Sequence, residues 1–224
     1  LEKDLDKMMK RTQDRPLPSG RVSTDQAILW SVFLVVTSLF IFISVFNLTT
    51  GLISLLSLVL YGFVYTPLKR VGPIAVFVGA FPGAFPPMIG WVAATNTFGL
   101  EPGILFAIQF FWQFPHFWAI AWVLDEDYKR AGFKLLPAKG LKNADTALQM
   151  MIYTLFLLPV GWLPYELCMT GIYSAFIATI FGVLFVAQSV HLMRKCTDQT
   201  ARQLMFGSFV YLPIVQIAFL LDKL

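Results

Sequence analysis

The chain has 224 residues, 57% of them hydrophobic and 13% charged, with a formal net charge of +4. That much apolar surface excludes a soluble domain of this size and predicts an all-α, polytopic membrane bundle. The two cysteines, Cys168 and Cys196, lack metal-ligand spacing, which argues against a thiolate site.

The polar opening, Glu2–Gly20, reads E-K-D-L-D-K-M-M-K-R-T-Q-D-R-P-L-P-S-G. Glu2 and Asp6 stand four apart, so on a helix they share one face, which Lys10 continues. Arg11 and Arg15 follow before Pro16 ends any helix. Stacked carboxylates suit a divalent cation that keeps positions open for phosphate, and neighbouring guanidinium and ammonium groups would grip the remaining oxygens. The plainer reading is a solvated face of mixed charge. The membrane-spanning sequence that follows favours the binding site. The chain opens on Leu1 inside this motif without a signal-peptide pattern, so residues 1–224 are expected to be one N-terminally truncated transmembrane domain.

Seven apolar runs follow, each near the 20 or so helical residues that cross hydrocarbon: Ala27–Phe46, Gly51–Thr66, Pro73–Ala94, Gly103–Leu124, Ala147–Leu163, Gly171–Leu192 and Leu204–Leu221. The second and fifth are short and are expected to extend into their flanks. Lys and Arg cluster at Lys3–Arg21, Lys69–Arg70, Lys129–Lys142 and Arg194–Arg202, while the connections between them hold neither residue. Every second loop is thus basic, which puts the opening motif, the Lys69 loop and the Asp125 loop on the cytoplasmic side. Cys168 and Cys196 then lie on opposite sides.

The third span carries Pro82, Pro86 and Pro87 with Gly79, Gly83 and Gly90, which predicts a broken helix facing protein or a cavity, a tightly packed, kinked one, or both together. In the fourth, His116 and Asp127 are eleven positions apart, within about 20° of one helical direction, whereas Asp125 points the opposite way on a regular helix. An intramembrane histidine is costly enough to be a functional candidate; the alternative is a hydrogen-bonded structural residue. His191, near Arg194, reads as interfacial.

These segments resemble the intramembrane prenyltransferase superfamily. The opening is similar to its first acidic motif with the tail Arg11–Gly20. Y-T-P-L-K-R at Tyr65–Arg70, G-A-F-P-P-M-I-G-W at Gly83–Trp91 and W-Q-F-P-H-F at Trp112–Phe117, leading to D-E-D-Y-K-R-A-G, resemble its protohaem IX farnesyltransferase branch. The resemblance implies nine helices around a central cavity, of which the first and most of the second would precede Leu1, together with an Asn of the first motif. Glu2 replaces the commoner Asp, and the second motif lacks a full D-x-x-x-D.

The resemblance further implies transfer of farnesyl from farnesyl diphosphate to a vinyl group of haem B, giving haem O. Mg2+ would be held by Glu2, Asp6 and Asp127, and the diphosphate by Arg11, Arg15, Lys69 and Arg70. Asp6, Asp127 and His116 would be catalytic, His116 as an iron ligand or a base. The implied setting is the bacterial inner membrane, or the mitochondrial inner membrane in a eukaryote, with the site facing cytoplasm or matrix. The lipid bilayer and a haem A synthase are the implied partners, with no nucleic acid. Two rivals are a prenyltransferase for an aromatic quinone precursor, which has no need of His116, and a polytopic transporter.

Overall fold

The computed structural model describes residues 2–224, and their regular structure is helical apart from one isolated bridge between Thr170 and Lys223. A short α1 (Lys3–Asp6) precedes seven helices long and apolar enough to cross a membrane. These are α2 (Thr24–Phe46), α3 (Leu48–Leu68), α4 (Ile74–Thr95), α5 (Leu100–Val123), then α7 (Ala144–Glu166), α8 (Ile172–Lys195) and α9 (Asp198–Leu221). Between α5 and α7 lies the six-residue α6 (Asp125–Arg130).

Polar residues set the helix starts. Ser23 and Thr197 form capping boxes with Gln26 and Thr200, and the Asn47 and Asn143 side chains accept from Thr50 N and Thr146 N. The two short spans extend at both ends, because residues such as Asp145 and Glu166 can lie in a helix where it reaches the interface.

The fourth span is the hub: α5 packs against α4, α7 and α9. Much of the chain's phenylalanine is structural here. Phe77, Phe81 and Phe85 of α4 meet Phe106, Phe110 and Phe114 of α5 at centroid separations of 5.1–6.2 Å. At the other extreme, α2 buries none of its residues.

In the structure α4 runs unbroken through its three prolines, packed against α3 and α5, and its Pro86, Pro87 and Trp91 also line a cavity. Pro86 has no N–H for the carbonyl of Pro82, and Ser57 Oγ of α3 donates to that carbonyl instead, at 3.2 Å. Gly83 is where α4 closes on α5. A Cβ there would stand 2.0 Å from Gln113 Oε1. Gln113 cannot swing aside freely, because it is 2% exposed and its Nε2 donates to Ala80 O and Gln109 O at 3.0 and 3.2 Å.

Gly83→Ala is therefore expected to destabilise the bundle by about 2–4 kcal/mol through crowding and broken buried hydrogen bonds. Adding Gln113→Ala should recover part of that loss. Thermal unfolding of purified single and double variants tests this; a Gly83→Ala protein as stable as the parent refutes it.

Candidate active site at the polar cap

The basic segments gather at one end of the bundle, and specific bonds hold them there. Lys69 Nζ donates to Glu2 Oε2 at 2.9 Å, with both side chains largely enclosed. The same ammonium lies 4.7 Å from the Tyr65 ring centroid and 5.8 Å from that of Phe133. Lys134 N–H donates to Lys69 O at 3.0 Å, tying the loop after α3 to the loop after α6. Lys142 Nζ and Trp122 Nε1 both donate to Asp198 Oδ1, at 2.9 and 3.1 Å, which brings in the start of α9.

The opening segment lies across this end. Asp6 N–H donates to Glu2 O at 2.8 Å, so the two carboxylates do stand one helical turn apart. The expected helix up to Pro16 does not form, however, and α1 ends at Asp6. Thr12 Oγ1 donates to Asp6 O at 2.8 Å, giving the backbone a partner outside the helix, and Met9 and Thr12 turn inward to 3% and 1% exposure. Lys10 is left exposed and does not continue the carboxylate face. Arg15 Nη1 instead folds back to donate to Asp6 Oδ2 at 3.3 Å.

A second expectation also fails. The regular helix from His116 to Asp127 breaks at Leu124, where φ is −101° and ψ 18°, and α6 starts anew with three acidic residues in its first turn. Acidic side chains favour a helix N-terminus, so this restart has a local cause. Asp125 is as enclosed as Asp127 and pairs with Lys129 at 2.7 Å. Arg130 Nη2 stands 2.9 Å from Asp127 Oδ1 but off the hydrogen-bonding axis, so that oxygen is enclosed without a hydrogen bond.

Tyr128, which the sequence reading passed over, sits among these charges. Burial raises its hydroxyl above the ordinary range. Arg11 and Arg15 pull it down, while Glu2 and Asp127 push it up. It is thus a neutral donor at physiological pH, within electrostatic reach of both acidic motifs. Its signal in the sequence was its place inside D-E-D-Y-K-R.

The expected residues assemble unevenly. Glu2, Asp6 and Arg15 line one cavity of about 570 Å3, and Lys69 reaches it through its bond to Glu2, while Asp127 and Arg11 are not on its wall. Arg70 lies on the same loop as Lys69, but exposed. Among the described residues no three His, Cys, Asp or Glu side chains form a ready-made metal cage. Glu2 Oε1 and Asp127 Oδ1 are nevertheless enclosed carboxylate oxygens with no hydrogen-bond partner. Each is a hard oxygen of the kind a divalent cation takes as a ligand. A second cavity, about 560 Å3 and mostly apolar, lies at the opposite end between α4, α5 and α9, with Trp91, Gln109 and Gln216 on its wall.

His116 is 6% exposed, within α5 and seven residues before its cap end at Val123, about 10 Å along the axis. Its Nδ1 is 2.7 Å from Ser208 Oγ, and the Trp112 ring stacks on it at 4.4 Å. His191 is exposed, and both cysteines are free.

Comparison with known proteins places this geometry. Residues 1–212 match the model of the UbiA prenyltransferase family. The whole chain aligns at 58% identity with 78% of a protohaem IX farnesyltransferase from Cytophaga hutchinsonii, and at 47% with 75% of one from Flavobacterium psychrophilum. A solved structure of a digeranylgeranylglyceryl phosphate synthase superposes on 98% of the chain and 78% of its own length. Its TM-score is 0.71 at 21% identity, which bears on the fold alone.

Proposed function

This chain belongs to the UbiA prenyltransferase family, and we propose that it transfers a farnesyl group from farnesyl diphosphate to a vinyl group of haem B, giving haem O. The observation that carries the reading is 58% and 47% sequence identity to farnesyltransferases of protohaem over the whole chain. We place the cap at the cytoplasmic face of the inner membrane, where the basic loops belong. Haem O is the substrate of a haem A synthase, which we propose as the neighbouring partner in the membrane.

The cap's carboxylates and cations alternate. Lys69 is held by Glu2 and Arg15 by Asp6. The diphosphate would draw Lys69, Arg15, Arg11 and Arg70 to its oxygens, freeing Glu2 and Asp6 to join Asp127 as ligands to a divalent cation. That ion, magnesium in our reading, supplies positive charge against the leaving diphosphate. Tyr128 would donate its hydroxyl to the same oxygens. The allylic C–O bond breaks with its electron pair passing to the diphosphate, and a C–C bond forms to the vinyl group. Water then adds its oxygen to the resulting cation and releases a proton. Once on the diphosphate, the lysine and arginine cations would stabilise the charge that develops on it as the C–O bond breaks.

Haem analysis of membranes expressing the full-length protein, supplied with farnesyl diphosphate and haem B, tests the reading: haem O and pyrophosphate should appear together. Pyrophosphate with a prenylated quinone precursor would favour the first rival, and no pyrophosphate at all the transporter. Topology gives an independent check. Single cysteines at Arg15, Lys69, Lys139 and Lys195 should label from one side of the membrane and those at Asn96 and Glu166 from the other. Opposite labelling at Lys69 and Lys139 would dismantle the shared cap.

A further inference from the structure

The contacts of Ser208 determine which nitrogen of His116 carries a proton. Ser208 Oγ lies 2.5 Å from Met205 O, and a carbonyl oxygen only accepts. Two oxygens so close repel unless a hydrogen lies between them, so the single hydroxyl proton belongs to that bond, a common one in helices. Toward His116 the same oxygen can then only accept. The 2.7 Å contact therefore requires a proton on His116 Nδ1, and because a second proton would place an unpaired charge in this enclosed apolar site, the imidazole is neutral with a bare lone pair on Nε2.

The ring is fixed as well as its tautomer. Trp112 Nε1 donates to the backbone carbonyl of the same Ser208 at 2.9 Å, while the indole stacks on the imidazole with the planes 17° apart. Phe117 and Phe209 meet the imidazole edge-on at 5.1 and 4.9 Å and are themselves 37% and 49% exposed. Nε2 has no hydrogen-bond partner among the described residues, yet it is not one of the fully enclosed unpartnered atoms. It is an open lone pair in an aromatic setting, about 10 Å below the cap.

We propose that Ser208 is a positioning residue that holds His116 with Nδ1 protonated, and that the bare Nε2 is the ligand to the iron of the macrocyclic acceptor. The second half rests on the haem reading of the function; the first stands on the hydrogen bonds alone. A ligating imidazole is ordinarily oriented by an acceptor on its other nitrogen, and loss of that acceptor typically weakens metal binding 10–100-fold.

Nitrogen-15 NMR of histidine-labelled full-length protein in bilayers reads the tautomer directly, with His116→Gln identifying the signal. Protonated Nδ1 and bare Nε2 are expected, and a protonated Nε2 would overturn the assignment. Haem B titration followed optically should show imidazole ligation that His116→Gln abolishes. Ligation surviving in that variant would overturn the ligand role. Ser208→Ala should mix the tautomers and weaken haem B binding about 10-fold. Unchanged tautomer and affinity would remove Ser208 from its role. Turnover to haem O, followed in parallel, separates these outcomes from failure of the functional reading itself.

Discussion

Asp6→Asn and Asp127→Asn are each expected to lower turnover by about three decades while leaving membrane insertion intact. The amide keeps the size of the carboxylate and removes only its charge. At an effective dielectric constant near 20, one unit charge acting at about 4 Å contributes roughly 4 kcal/mol, and 1.36 kcal/mol is tenfold in rate. Both residues are positioned for such an effect. Asp6 is enclosed beside Arg15, and Asp127 holds an enclosed oxygen that no protein donor satisfies. Each substitution also leaves a guanidinium without its counter-ion. Pyrophosphate release by the full-length variants across a magnesium titration measures the outcome. A variant with near-normal activity at any magnesium concentration takes its residue out of the site.

How far the sequence reached can be judged from the same residues. The spans were legible because hydrocarbon demands long apolar helices, and the alternation of basic loops gathered Glu2, Lys69 and Asp127 at one end without any structure. The structure adds which cation meets which carboxylate. Positive-inside counting carries no information on that, and neither the Lys69–Glu2 nor the Arg15–Asp6 pair followed from it. The break at Leu124 was missed because no proline or glycine marks it, although three consecutive acidic residues are themselves a helix-start signal. The unwinding after Asp6 depends on Thr12 turning inward, a tertiary effect that overrides a helical-looking pattern. Ser208 lies 92 residues from His116, and no spacing rule links them.

His116→Ala is expected to weaken haem B binding about 100-fold while changing farnesyl diphosphate affinity by less than about twofold. The first figure is the upper range for disturbing a metal's ligand environment, since here the ligand itself is removed. The second follows from depth. About 10 Å of helix separates His116 from the cap end of α5, beyond any hydrogen bond to a diphosphate held at the cap by Arg11, Arg15, Lys69 and Arg70. The fold should tolerate the loss. Trp112 keeps its bond to the Ser208 carbonyl, Trp122 its bond to Asp198 and Gln216 its bond to Gln109, so the contact between α5 and α9 retains three of its four side-chain hydrogen bonds among the described residues. A histidine serving only to join those helices predicts something different: less folded protein, with both affinities normal or both reduced in what remains. Binding measured separately for the two substrates on purified full-length variant decides between them. Equal loss of both, or loss of farnesyl diphosphate binding alone, rules out a role for His116 at the haem.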